Sequence, residues 1–296
     1  ATADAAVAAA DAGSLAARAS FASAVGELPS GQLALAWVDL GALPALMRSL
    51  DSGAQIAATA GFDRLAGQLV VGARAVDDGV ELRYRWQGLS SFKAGRDVLT
   101  DLGAMPGNTV IAAGTDLAAM AWARDPLQSE IESGVAELGP QGAVLRDGLH
   151  ALLGSVVTVA VAQPATGTRT ALRIVARAAG ADEADALGAL IHAIQADAGA
   201  LPAGLSVHRT ADGVELSTGD YRAAAGVLGA DQLFRDAIAG ANRPAAAALY
   251  VDVQRYAASA DLSDDARARL APVKAVAFST GFEDGAVVGL LRVVIR

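Results

Sequence analysis

Cysteine is absent from the 296 residues. Disulfides, thiol nucleophiles and Cys-ligated zinc are therefore excluded. Lysine is nearly absent too: among 23 basic residues only Lys93 and Lys274 are not arginine. With an excess of alanine, this usage points by association to a GC-rich bacterial genome such as that of actinobacteria. Positive charge is also short overall. The net charge is −9, whereas a nucleic-acid binder needs a basic footprint to release counterions from phosphate. No nucleic-acid partner is expected. No apolar run approaches the ~20 residues of a membrane helix. The first residue is Ala1 rather than Met, which fits an N-terminal anchor or signal segment lying outside this chain. Aromatic residues make up only 4%.

What is present is apolar and small. Hydrophobic residues are 53% of the chain and charged residues 19%, so an ordered, packed protein is expected. Alanine, valine and leucine dominate, and small side chains allow close approach of packed elements. An empty hole of about 300 Å³, the low end for a ligand pocket, would cost about 7 kcal/mol at ~24 cal/mol per Å³. Ala-rich faces are thus either closely packed or occupied.

Three segments share one pattern: a proline, a short apolar strand, and an aspartate at its end. They run from Pro29 to Asp39, from Pro106 to Asp116 and from Pro244 to Asp252. Each aspartate opens a helical stretch, as an N-cap does by accepting an orphan helix N–H. Each unit closes with a β-hairpin. These are Gln68 to Gln87 turning at Asp77-Asp78-Gly79, Val156 to Arg177 turning near Pro164 to Thr168, and Val273 to Ile295 turning at Glu283-Asp284-Gly285. Asp-Gly between apolar runs signals a hairpin because Gly takes φ > 0 without steric cost. In the first hairpin Val80, Leu82, Tyr84 and Trp86 alternate with Glu81, Arg83, Arg85 and Gln87. A period of two predicts a buried apolar face and a wet polar one. The last strand, Val287 to Ile295, is apolar on both sides and is expected in the sheet interior.

A further hairpin is expected at Leu205 to Leu216, turning at Asp212-Gly213. Helices are expected from Asp182, Asp231 and Ser263. Residues 1–27 read as an Ala-rich helix, a juxtamembrane spacer or a helix packed on the body through small residues. The predicted class is α+β: repeated strand–helix–hairpin units forming a curved antiparallel sheet or sheets, with helices packed on one face. Residues 28–296 form one body with units at about 28–104, 105–200 and 243–296, and an inserted hairpin and helix at 201–242.

Leu28-Pro29 through Val38-Asp39, Met105-Pro106-Gly107-Asn108-Thr109-Val110, Leu152 through Val157, and Gly226 through Arg235 followed by Ala248 through Asp252 resemble one family. This is the domain of unknown function 3352 family, uncharacterised actinobacterial proteins with a cytoplasmic tail, one membrane helix and a large extracytoplasmic domain. The resemblance spans most of residues 28–296 and rests on structural motifs. It implies a location outside the plasma membrane, anchored there by a segment not in this chain, and no established activity.

No catalytic, cofactor-binding or metal-binding residue is assigned. Asp39, Asp116 and Asp252 are the only residues repeated by position. They would suit a hard cation if they converged, and suit three helix caps if they did not. The pairs Asp77-Asp78 and Glu283-Asp284 fall where turns favour Asp. His150, His192 and His208 lack metal-ligand spacing. There is no Gly-x-Ser-x-Gly, no Ser-x-x-Lys and no phosphate-binding glycine fingerprint. Trp37, Trp86 and Trp122 read as core. The expected function is that of a non-enzymatic extracytoplasmic binding or scaffold protein of the bacterial envelope, partnered by an envelope protein or lipid. The alternative is a carrier or sensor of apolar ligands, lipids above all, held in a cleft between sheet and helices.

Overall fold

The computed structural model describes residues 14–42, 45, 66–88, 92–93, 95–135, 139–162, 171–198, 204–218, 221 and 226–295. The expected turn at Pro164 to Thr168 and residues 1–13 of the N-terminal helix lie outside these. The chain is α+β. A single sheet of 11 strands runs in the order β1-β2-β3-β11-β10-β9-β4-β5-β6-β8-β7, and every pairing is antiparallel. The strands are β1 Ala34–Asp39, β2 Gln68–Val76, β3 Gly79–Gln87, β4 Thr109–Asp116, β5 Val156–Ala162 and β6 Ala171–Arg177. They continue with β7 Leu205–Thr210, β8 Gly213–Thr218, β9 Ala245–Asp252, β10 Ala275–Glu283 and β11 Ala286–Val294. Three stretches of chain each supply three neighbouring strands: β1 to β3, β4 to β6 and β9 to β11. The hairpin β7–β8 extends the sheet beyond β6.

Eight α-helices are described: α1 Ala19–Gly26, α2 Val98–Gly103, α3 Ala121–Val135, α4 Gly139–Leu153, α5 Ala181–Ala198, α6 Gln232–Ala237, α7 Val253–Ser259 and α8 Asp264–Leu270. Local chemistry sets their starts. Asp231 accepts from Leu233 N at 2.8 Å, Asp252 from Arg255 N at 2.9 Å, and Ser263 Oγ from Ala266 N at 3.3 Å, each filling an orphan donor. None of the described helices is long and apolar enough to cross a membrane.

The hairpin turns stand where the sequence puts them, for two different reasons. At Asp284 and Gly285 φ is 48° and 76°, the left-handed pair of a twist-matched two-residue turn. Gly79 has no positive φ. A β-carbon there would overlap the carbonyl oxygen of Val293 on β11, and at Gly213 it would overlap that of Ala176. These two glycines serve close strand approach rather than turn geometry.

The helices do not share one face, as the sequence suggested. On one face α2 and α6 seal the sheet. Val98, Leu102, Phe234 and Tyr250 pack there against a floor of Ala112, Ala160, Ala248, Ala275 and Ala277. The Phe234 and Tyr250 rings meet edge to face with centroids 5.1 Å apart. Each large side chain buried here contributes roughly 1.5–3 kcal/mol. On the opposite face, at the β6–β8–β7 end, α4 and α5 bury Ala151, Ala184 and Leu187 against Ala176 and Val214. The reason is register. Ala176 stands one residue before Arg177, which pairs with the core residue Val156, so Ala176 points the other way.

Candidate functional surface

The sheet thus has a closed face and, across its middle, one that is only half-exposed. In β5 the closed-face residues Val156, Thr158, Ala160 and Ala162 are buried, and the intervening Val157, Val159 and Val161 are partly exposed. The same alternation runs through β9, where Leu249 and Val251 are partly exposed, and through β4, where Ile111 and Ala113 are. Val276 and Phe278 of β10, Leu291 and Val293 of β11, and Leu82 and Tyr84 of β3 continue that surface. No Asp, Glu, Lys or Arg stands at these positions. The hydroxyls among them are satisfied within the fold: Thr280 Oγ1 donates to Val288 O at 3.2 Å and Thr115 Oγ1 approaches Met120 Sδ at 3.5 Å. Six strands at ~4.8 Å spacing and about 20 Å of length give a footprint on the order of 600 Å². The large apolar side chains named across it are partly exposed rather than fully exposed, and contiguous apolar surface of this kind is a candidate for interaction.

The polarity of β3 is the reverse of the sequence expectation. Its apolar residues lie on the half-exposed face, and its charged residues lie on the closed one, where Glu81 is 2% exposed. Glu81 is tolerated there because it is fully hydrogen-bonded. Oε2 accepts from Arg74 Nε at 2.9 Å and Nη2 at 2.8 Å, and Oε1 accepts from Arg292 Nη1 at 2.8 Å. The period of two is present, but such a period does not say which face is covered.

Two solvent-open clefts lie toward the β6–β8–β7 end. One of about 440 Å³ runs between α5 and β7–β8, lined by Asp185, Gly188, His192, Val207 and Arg209; Arg209 is paired with Asp185. The other, of about 330 Å³, opens on the closed face beside Met105 and Val175. There Arg173 Nη2 meets Glu215 Oε2 at 2.7 Å, and Arg177 is shared by Asp101 and Asp212. The hydrogen bond to Glu215 holds the Arg173 guanidinium above its ordinary range. In both clefts the Arg, Asp and Glu side chains that line the walls are paired with one another. By contrast, the crevice between α6 and the sheet at Ala237, Ile238, Ala277 and Leu290 holds no water-sized space.

The three strand-end aspartates are not brought together. Asp116 closes β4 and accepts from Ala118 N at 3.1 Å and from Arg96 N at 2.7 Å. Asp252 closes β9, which runs antiparallel to β4, so the two lie at opposite ends of adjacent strands. Asp39 lies on the edge strand β1 and accepts from Gly41 N at 3.1 Å. Each serves its own turn. Among the described residues no group of three or more His, Asp or Glu is placed to hold a metal ion. His150, on α4, stands 3.9 Å from Glu132; His192, on α5, lines the first cleft; and His208 lies on β7 opposite Glu215.

Trp37 and Trp86 are half-buried rather than core. Trp37 packs its ring edge to face with Phe21 of α1 at 5.9 Å, and Trp86 Nε1 donates to Ala66 O at 2.9 Å. The side chain of Trp122 lies outside the described residues. No protein-family model, curated protein or solved structure matches the chain.

Proposed function

We propose that this protein is a non-enzymatic binding or scaffold protein of the bacterial envelope, held outside the plasma membrane, which engages a protein partner through the half-exposed face of its sheet. The observation that carries the reading is that face: an uncharged apolar surface across six strands, opposite an interior already closed by α2 and α6. Burying it in water-free contact is favourable by ~25 cal/mol per Å² of apolar surface removed from solvent. The grouping of strands into three neighbouring triplets supports the repeated unit read in the sequence. The resemblance of residues 28–296 to the domain of unknown function 3352 family supports the location and an anchor preceding this chain.

A second reading, as a carrier of apolar ligands, draws on the same face, since acyl chains would suit it equally. The filled crevice under α6 gives such chains no room between that helix and the sheet. The test is photo-crosslinking in the host from a reactive residue at Val159 or Leu249, with Arg269 on α8 as control. A discrete protein adduct from the sheet positions and not from α8 supports docking. Adducts to lipid alone replace it with the carrier, and no adduct from either sheet position rejects the surface.

A further inference from the structure

The alternation of β3 puts Glu81, Arg83 and Arg85 on the closed face, and register adds Arg74 of β2 and Arg292 of β11 in the same row as Glu81. The two carboxylates present are committed. Glu81 is held by Arg74 and Arg292, and Asp78 takes the remaining arm of Arg292 at 2.6 Å. Arg83 is left one long contact, Nε to Glu81 Oε2 at 3.4 Å. Arg85 has no ion pair: among the described residues no carboxylate lies within 4.0 Å of it, and its buried Nε donates to nothing. Four guanidinium groups therefore face two carboxylates, and the surplus positive charge falls on Arg83 and Arg85.

Two features make that surplus a site. Arg83 and Arg85 are two residues apart on one strand, so their side chains leave the same face about 7 Å apart. Trp37 and Arg85 are both register partners of Val70, one on each side of it. They therefore share a face, and the Trp37 indole N–H is likewise buried without an acceptor. Between and beside them, Val70 is 1% and Val288 is 5% exposed. Donors left unpaired against so dry a floor are costly, and an anion that accepts from them relieves that cost. Guanidinium forks match tetrahedral oxyanions with several acceptor oxygens.

We propose that Arg83 and Arg85, with the Trp37 indole N–H, form a binding site for a phosphate-type oxyanion. The site lies on the face opposite the docking surface and does not rest on it. Its source is either a free phosphate or the phosphodiester headgroup of an anionic lipid. The experiment is calorimetric titration of the whole chain with inorganic phosphate, alongside co-sedimentation with phosphatidylglycerol and with phosphatidylcholine vesicles. Saturable binding is expected, weakened at least about tenfold by Arg85→Gln and several-fold by Trp37→Phe, and unchanged by Arg269→Gln on exposed α8. Binding of phosphate identifies the free anion as sufficient. Arg85-dependent binding to phosphatidylglycerol vesicles without phosphate binding identifies the headgroup. Should Arg85→Gln fail to fold by circular dichroism, Arg83→Gln and Trp37→Phe carry the comparison. Binding of neither probe, or equal affinity in the folded variants and the parent, overturns the proposal.

Discussion

Tyr84 lies flat across Gly289. The two are direct cross-strand partners of β3 and β11, and a β-carbon on Gly289 would overlap the tyrosine ring. The ring is then stacked on Phe278 of the next strand, with centroids 6.3 Å apart and planes at 11°. An aromatic over a cross-strand glycine covers backbone that would otherwise be exposed. Here it also levels the middle of the half-exposed face. Gly289→Ala is expected to lift the ring, break the stack, and destabilise the protein by about 1–3 kcal/mol. Thermal unfolding checks the loss. The companion Gly289→Ala, Tyr84→Ala variant should recover part of it, because the overlap is then gone.

Tyr250 sits on the closed face at 0% exposure, and its hydroxyl has no hydrogen-bond partner. Burial pushes its phenol far above the ordinary value of 10.0, reinforced by the nearby Asp252 and Asp231 charges. Burial raises Tyr84 as well, against a hydrogen bond from Thr280 that lowers it. A phenol whose pKa is raised in the fold stabilises the fold fully below the unfolded value, near 10, and loses that contribution as pH rises beyond it. Stability is therefore expected to fall steeply above pH ~10. Tyr250→Phe should flatten that fall. At neutral pH it should be neutral or stabilising by up to about 1 kcal/mol, because an unpaired buried hydroxyl is removed. Urea unfolding at pH 7 and at alkaline pH measures both effects.

Glu81 is the acceptor for three arginines from three strands. Glu81→Gln leaves their guanidinium groups packed together without the charge that neutralises them. A loss of about 3 kcal/mol is expected, in the range seen when one partner of a buried ion network is removed. A Glu81→Leu variant that proved as stable as the parent in chemical denaturation would contradict the central place given to this carboxylate.

Adjacent residues of β5 separate folding from docking. Ala160 is 0% exposed on the closed face, whereas Val159 is partly exposed on the other. Ala160→Glu is expected to cost at least ~3 kcal/mol by placing a charge in the filled core. Val159→Glu should cost about 1 kcal/mol and abolish crosslinking from Leu249. Circular dichroism and crosslinking yield, read on both variants, check this. A Val159→Glu protein that still crosslinks in full would remove the apolar face as a docking surface.

Local chemistry was readable from the amino acids. The hairpins at Asp77 to Gly79, Asp212-Gly213 and Glu283 to Gly285 stand where their turn residues put them. The caps at Asp231, Asp252 and Ser263 fall where a side-chain oxygen meets the first free N–H groups of a helix. β11 reads as interior and lies between β3 and β10. The placement of charge in β3 was not readable in this way. Glu81 to Gln87 alternate in the manner of a wet face, and the arginine and carboxylate partners that allow burial come from β2 and β11. Glu81 and Arg292 are separated by 211 residues, a distance over which no local pattern carries information.

By itself, the sequence determined the described strands, the turns at Asp77 to Gly79, Asp212-Gly213 and Glu283 to Gly285, the caps at Asp231, Asp252 and Ser263, and the absence of any motif for metal, nucleotide or nucleophile chemistry. These depend on a few neighbouring residues. Only the tertiary structure decided strand order, which of two apolar faces is covered, and where the surplus arginine charge gathers. In β5 the run Val156 to Ala162 is apolar or small on both sides, so its pattern cannot distinguish them. The helices that close one side arrive from elsewhere in the chain, and burial is set by what they cover.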